Sequence, residues 1–238
     1  MKLFVLAGGF GKRLRSAVSD VPKVLAPIGN IPFLHFQIQN WKSQDIRSFV
    51  FLLHYQANQI INFLEKEHQD GLLMDCDVKW IIEPVPMDTG GALSYAIEHL
   101  NIIGDFLVTN ADTWIGGGIE AMIQAKIPTI AVVNLPNTSR YGSVRFDKDQ
   151  RVTAFQEKNN NQSAGWIYTG LCKLNSDFFK SWNGQSFSLE RLTFPALIDA
   201  GKLDALKLQT DFIDIGIPND YFRFCHWITE GRKGTLCC

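Results

Sequence analysis

The stretch LAGGFGKRLR, residues 6–15, carries Gly8, Gly9 and Gly11 together with Lys12, Arg13 and Arg15. Glycines let a backbone turn tightly and approach a ligand closely, and their N–H groups can converge into a concavity that holds an anion. Arg13 and Arg15, with Lys23 a little further on, can grip a polyphosphate through charge-assisted hydrogen bonds. Two familiar phosphate loops are excluded by residue identity. A Walker A loop needs a glycine where Leu6 stands and a hydroxyl where Arg13 follows Gly11-Lys12; the dinucleotide pattern G-x-G-x-x-G fails at Leu14. Read alone, the stretch also fits a glycine turn with solvated cations.

The elements that must carry this loop alternate between two periodicities. Strands are expected at Leu3–Leu6, Ser48–Leu53, Asp77–Ile82, Phe106–Thr109 and Thr129–Val133. Between them, helices are expected at Phe33–Trp41, Ala57–Glu67, Gly91–Leu100 and Gly118–Ala125. Such alternation argues for βαβ units in an α/β fold, a mostly parallel sheet with helices on both faces. From Tyr141 to Leu174 the pattern changes to β segments broken by turns, which predicts a smaller antiparallel piece. Helices return at Leu189–Ala200 and Tyr221–Glu230.

The chain has 238 residues, 46% of them apolar and 20% charged, with a formal net charge of −1. That suits one soluble domain, in which residues 1–135 would bind a nucleotide and 136–238 the second substrate. A general nucleic-acid binder would show a basic excess that is lacking here. The apolar run Leu3–Ala7 is too short for a signal core, and no segment is long and apolar enough to span a bilayer. The five cysteines are scattered without metal-ligand spacing, which predicts free thiols in a cytoplasmic protein. Cys237-Cys238 does not fit a prenylation signal and is expected to be a silent end.

Further motifs follow in order: PKVLAPIGNIPFL, IIEPVPMDTGGAL, FLVTNADT, RYGSVRFD, FQEK, IYTGLCKL and FIDIGIPNDY. Together with the opening loop they resemble the sugar-phosphate nucleotidyltransferases over residues 1 to about 224. The wording is most similar to the heptose-1-phosphate guanylyltransferases, with mannose-1-phosphate guanylyltransferases and N-acetylmuramate-1-phosphate uridylyltransferases close behind. Four positions depart from the family pattern: Lys12 for threonine, Ile31 for a basic residue, Asp88 and Ala111 for glycines.

The resemblance implies a Rossmann-like, GT-A-like fold whose antiparallel subregion binds a sugar. The implied reaction is attack of a sugar 1-phosphate oxygen on the α-phosphorus of a nucleoside triphosphate, with pyrophosphate leaving. Both reactants are anionic, so positioning and cations carry such a reaction and no side-chain nucleophile is needed. Arg13 and Lys23 would be the catalytic cations. Leu6, Ala7, Gly8, Gly9 and Gly11 would hold the nucleotide, with Glu83, Thr89 and Gly90 around its base. A carboxylate at Glu83 can accept from N1–H and the exocyclic amine of guanine, which favours GTP over a uracil nucleotide. Asp112, Gly142, Glu157, Lys158 and Gly170 would meet the sugar phosphate, and Asp112 and Asp214 would hold Mg2+. Trp166 and Tyr168 are expected in the core, with stacking on a sugar as the alternative. The implied partners are two small anions, the heptose 1-phosphate D-glycero-α-D-manno-heptose 1-phosphate among them, with no nucleic acid and no membrane, and a homodimer as an option. A sensor that keeps the fold without turnover would be expected to lose Arg13, Lys23 or an aspartate, and the chain retains all of them.

Overall fold

The computed structural model describes residues 1–156, 163–232 and 236. The chain begins with β1 (Lys2–Leu6), and after the glycine loop a 3-10 turn carries Lys23–Leu25. A small hairpin, β2 (Pro27–Ile28) and β3 (Ile31–Pro32), leads into α1 (Phe33–Ser43). There follow β4 (Ser48–Leu53), α2 (Ala57–Gln69), β5 (Asp77–Ile82), α3 (Asp88–His99) and β6 (Asp105–Asn110). Next come β7 (Thr113–Ile115), α4 (Ile119–Gln124), β8 (Thr129–Leu135), β9 (Ser143–Phe146), β10 (Val152–Gln156) and β11 (Gly165–Asn175). The chain closes through α5 (Phe194–Asp199), β12 (Asp204–Lys207), β13 (Phe212–Asp214) and α6 (Pro218–Thr229).

Strands β5, β4, β1 and β6 lie side by side and parallel, so the residues after β1, β4, β5 and β6 all emerge at one edge. This is the edge at which open α/β sheets bind ligands. Alternate residues feed opposite faces. Leu3, Val5, Phe49 and Phe51 pack under α1 and α2 with Leu34, Ile38, Ile60 and Leu64. Phe4, Val50, Leu52 and Val108 pack against Leu93 and Ala96 of α3 and Phe194 of α5. A third apolar cluster, including Leu14, Phe33, Trp114, Ile213 and Phe224, seats α6 against β7 and β13.

The expected alternation of strands and helices is present, with two differences. The segment after Tyr141 is antiparallel, but β11 lies inside the main sheet, paired with β6 on one side and β8 on the other. The two expected parts therefore share one sheet. The helix expected over 189–200 splits into a wide π turn, Leu189–Thr193, and α5. Pro195 explains the split, because it has no N–H to give to the preceding turn. Cys76, Cys172 and Cys225 are free thiols, as expected. Among the described residues no helix is long and apolar enough to cross a membrane.

Candidate active site

Lys23 is the centre of the site. Its Nζ donates to Asp112 Oδ2 at 2.5 Å and to Asp214 Oδ1 at 3.2 Å. The lysine enters from the turn after the glycine loop, Asp112 from the end of β6, and Asp214 from the end of β13. Burial alone would lower the Lys23 pKa; the charges and hydrogen bonds of the two aspartates outweigh it and hold the ammonium above its ordinary value. Burial would likewise raise Asp214, yet Lys23 and the Gly216 N–H, which donates to Oδ1 at 2.7 Å, hold it below the usual carboxylate range. A Cβ at Gly216 would fall 2.7 Å from both Asp214 Oδ1 and Lys23 Nζ, so any side chain there would push into the ion pair.

Beside this centre a cavity of about 190 Å³ is walled by Ala7, Gly9, Gly11, Arg13, Lys23 and Asp112. Gly11 has φ +59°, and a Cβ on it would sit 3.0 Å from Lys23 Cβ. The glycine thus serves both the turn and the close approach of the lysine. Arg13 is exposed on the wall, with no ion-pair partner among the described residues. Arg15 turns aside: its guanidinium stacks over Tyr55 and donates to the Phe10 carbonyl.

A larger cavity, about 570 Å³, extends from Leu6, Gly8 and Gly9 to Glu83 and Thr89. Glu83 is buried, and its Oε2 accepts the Met87 N–H at 2.9 Å. A Cβ at Gly8 would come within 2.9 Å of Glu83 Oε1, so this glycine admits the carboxylate against the loop. Burial raises the Glu83 pKa, and the Met87 N–H and His54 only partly oppose it. Glu83 pairs with no lysine among the described residues.

On the other side of Asn110 lies a cavity of about 500 Å³ bordered by Gly142, Tyr168, Gly170, Glu190 and Asp214. Asn110 borders both of the large cavities. Gly170, at φ +87°, would place a Cβ 2.4 Å from Asn110 Nδ2, so the chain passes Asn110 at backbone distance. Glu190 Oε2 accepts from the Thr89 and Ser188 hydroxyls at 2.7 and 2.6 Å, tying the start of α3 to the π turn between the cavities.

Of the expected residues, Leu6, Ala7, Gly8, Gly9, Gly11, Arg13, Lys23, Glu83, Thr89 and Asp112 line the cavities of about 190 and 570 Å³, while Gly142, Gly170, Asp214 and again Thr89 border the cavity of about 500 Å³. Gly90 is not brought to either. Its N–H donates to the Phe187 carbonyl, and a Cβ there would collide with the Phe187 ring at 2.1 Å; this glycine serves packing. Tyr168 lines the second cavity and also packs on Phe155 and Phe194, whereas Trp166 packs on Phe146 outside it. Glu157, Lys158, Cys237 and Cys238 lie outside the described residues. Asn110, Glu190 and Gly216 were missed, although Gly216 follows Asp214 within a motif already noted and Asn110 precedes Asp112 by two.

No group of three or more His, Cys, Asp or Glu that could hold a metal ion occurs among the described residues. Mg2+ needs only one or two protein carboxylates when phosphates and waters complete its shell. Asp112 and Asp214, both hard oxygen donors about one ammonium, fit that requirement.

A mostly parallel sheet with a glycine loop and Asp112 at its carboxyl edge, and with Lys23 and Asp214 brought beside them, is an arrangement suited to an enzyme that handles phosphates. The nucleotidyl transferase family matches residues 2–230, and the chain belongs to it. It is 30% identical to the D-glycero-alpha-D-manno-heptose 1-phosphate guanylyltransferase of Campylobacter jejuni, over 94% of this chain and 98% of that one. To the probable mannose-1-phosphate guanylyltransferase 1 of Oryza sativa it is 32% identical, over 93% of this chain and 63% of that protein. The crystal structure of HddC from Yersinia pseudotuberculosis, complexed with GMP-PN, superposes with a TM-score of 0.81 at 30% identity, covering 95% of this chain and 99% of HddC.

Proposed function

We propose that this nucleotidyltransferase moves a guanylyl group from GTP to D-glycero-α-D-manno-heptose 1-phosphate, releasing pyrophosphate. The observation that carries the reading is Lys23, fixed between Asp112 and Asp214 where the small cavity and the two large ones converge. An ammonium has three N–H donors. The aspartates take two, which leaves one for a phosphate oxygen on which charge builds. Arg13, on the wall of the small cavity, supplies a second cation for the triphosphate. Asp112 and Asp214 would hold Mg2+, whose contribution when bound is to offset the repulsion between the two phosphorylated substrates.

The guanine preference rests on Glu83. Its Oε2 is occupied by the Met87 N–H, and Oε1 lies against Gly8 in the cavity where a base would rest. That carboxylate matches the two donors on one edge of guanine. The heptose assignment rests on relatives of nearly the same length in Campylobacter jejuni and Aneurinibacillus thermoaerophilus that carry this name. Mannose 1-phosphate is the second reading, favoured by the similarity to mannose-1-phosphate guanylyltransferases.

The test is a matrix of GTP, ATP, CTP and UTP against heptose, mannose, glucose and N-acetylhexosamine 1-phosphates, read by pyrophosphate release. GTP with the heptose phosphate should give the highest kcat/KM. Equal or faster turnover with UTP would overturn the base assignment, and faster turnover with mannose 1-phosphate would transfer the sugar assignment.

A further inference from the structure

Behind the reacting groups, on the side of α1, lies a fully buried amide that the sequence motifs do not include. Gln37 has no exposed surface, and its Nε2 donates to two main-chain carbonyls, Thr113 at 2.7 Å and Ala111 at 3.3 Å. These are the carbonyls on either side of Asp112. The carbonyl of Asp112 itself accepts the Ile215 N–H at 3.1 Å. Three consecutive carbonyls are thereby fixed, two of them by one side chain.

The same contact reaches the second aspartate. Thr113 begins β7, which pairs antiparallel with β13, and in that register Thr113 lies opposite Asp214. Helix α1 is also tied to the turn that carries Lys23, its Phe33 N–H closing onto the Ala26 carbonyl across the β2–β3 hairpin. Through Phe33 and Gln37, α1 thus links the segments bearing Lys23, Asp112 and Asp214. Gln37 Oε1 is buried without a hydrogen-bond partner. A leucine or methionine would fill such a place without leaving an acceptor unpaired, and a half-satisfied buried amide calls for a reason. One turn along α1, Asn40 Nδ2 donates to the Ile115 carbonyl at 2.7 Å, and just past the helix end Gln44 Oε1 accepts the Ile119 N–H at 3.0 Å.

We infer that Gln37 is a positioning residue for phosphoryl chemistry at this site: its amide, gripping the carbonyls of Ala111 and Thr113, sets Asp112 and Asp214 at their places around Lys23. The inference rests on the reading of those three residues as the reacting centre. Gln37 lines none of the three cavities, so its loss should act on turnover and leave binding alone.

Gln37→Met keeps the volume and removes both donors. Supporting residues behind reacting ligands are worth about 10- to 100-fold in activity, so kcat should fall by about that factor while KM for GTP stays within about twofold. Asn40→Leu removes the next such bond, three residues further from Asp112, and should lower the melting temperature comparably without that fall in kcat. Hydrogen exchange supplies a readout independent of activity: the Ile215 amide should lose protection in Gln37→Met, while the amides of β1 and β4 keep theirs. If Gln37→Met does not accumulate, Gln37→Asn, with its amide drawn back by one methylene, should show the same split. Unchanged kcat, an equal loss of kcat in Asn40→Leu, or unchanged protection at Ile215 would overturn the inference. Asp112→Asn separates the two levels. If it retains turnover, the reading of the centre fails; if it abolishes turnover while Gln37→Met leaves kcat unchanged, only the role of Gln37 fails.

Discussion

Without Lys23, Asp112 and Asp214 would face one another with no charge between them. Replacing it with methionine keeps the stem and removes the ammonium. Loss of one preorganised donor to developing charge costs on the order of 10²–10³ in kcat, and steady-state pyrophosphate release should show a fall of that size in Lys23→Met. Glu83 makes a separate prediction, because burial raises its pKa. A carboxylate with a raised folded-state pKa lends stability below its unfolded value, and that stability is lost as pH rises through the folded value. At neutral pH the buried charge is therefore a cost. Glu83→Gln should melt no lower than the parent at pH 7, yet bind GTP more weakly, since its amide presents donors to the donors of guanine. In the parent, GTP affinity should decline as pH falls through the raised Glu83 pKa, above the usual glutamate value, and this decline should vanish in Glu83→Gln when both are followed by calorimetric titration.

At the scale of elements, the site depends on places where backbones approach one another or turn left-handed. Gly170 lies within the irregular part of β11, where pairing to β8 shifts between Tyr168 and Cys172, and it passes Asn110 too closely for any Cβ. Gly170→Ala combines a left-handed φ with that collision. Each such strain costs about 1–3 kcal/mol, so the melting temperature should drop by several degrees, with catalysis impaired because Asn110 must move between the two cavities. A melting temperature equal to the parent's would show that the strand relaxes around the extra methyl. Asp88 illustrates the same principle in reverse. It replaces a glycine of the family pattern, and its φ of +60° is a conformation that glycine adopts freely and aspartate tolerates better than most residues. Its Oδ1 accepts the Thr89 N–H at 2.9 Å, which secures the turn into α3. The helix consequently starts three residues earlier than its apolar periodicity suggests, and Thr89 and Gly90 belong to its first turn rather than to a loop.

In the whole molecule, the cavities for the two proposed substrates share one sheet edge and meet at Asn110. A nucleotide bound only by the folded chain adds stability by mass action, about 2.7 kcal/mol at 100 times its Kd. For a domain of this size each kcal/mol moves the melting temperature by about 2–4 °C. GTP at that excess should therefore raise it by roughly 5–11 °C, and UTP at the same concentration should raise it less. Equal shifts for the two would remove Glu83 from base selection. The interlocked sheet bears on this measurement: β11 joins strands from both halves of the chain, so the transition monitored by calorimetry should be single.

By itself the sequence determined the alternating elements, the glycine loop after the first strand and the kinds of group available to phosphate chemistry. Those features are written locally, in periodicity and in residues such as Gly11 whose backbone freedom is intrinsic. The tertiary structure alone decided that Lys23 meets carboxylates 89 and 191 positions away, that Arg15 leaves for Tyr55, that Gly90 packs under Phe187 and that Gln37 stands behind Asp112. Each of these depends on strand order and register, which set what lies opposite what across the sheet, and no pattern within a single segment encodes that.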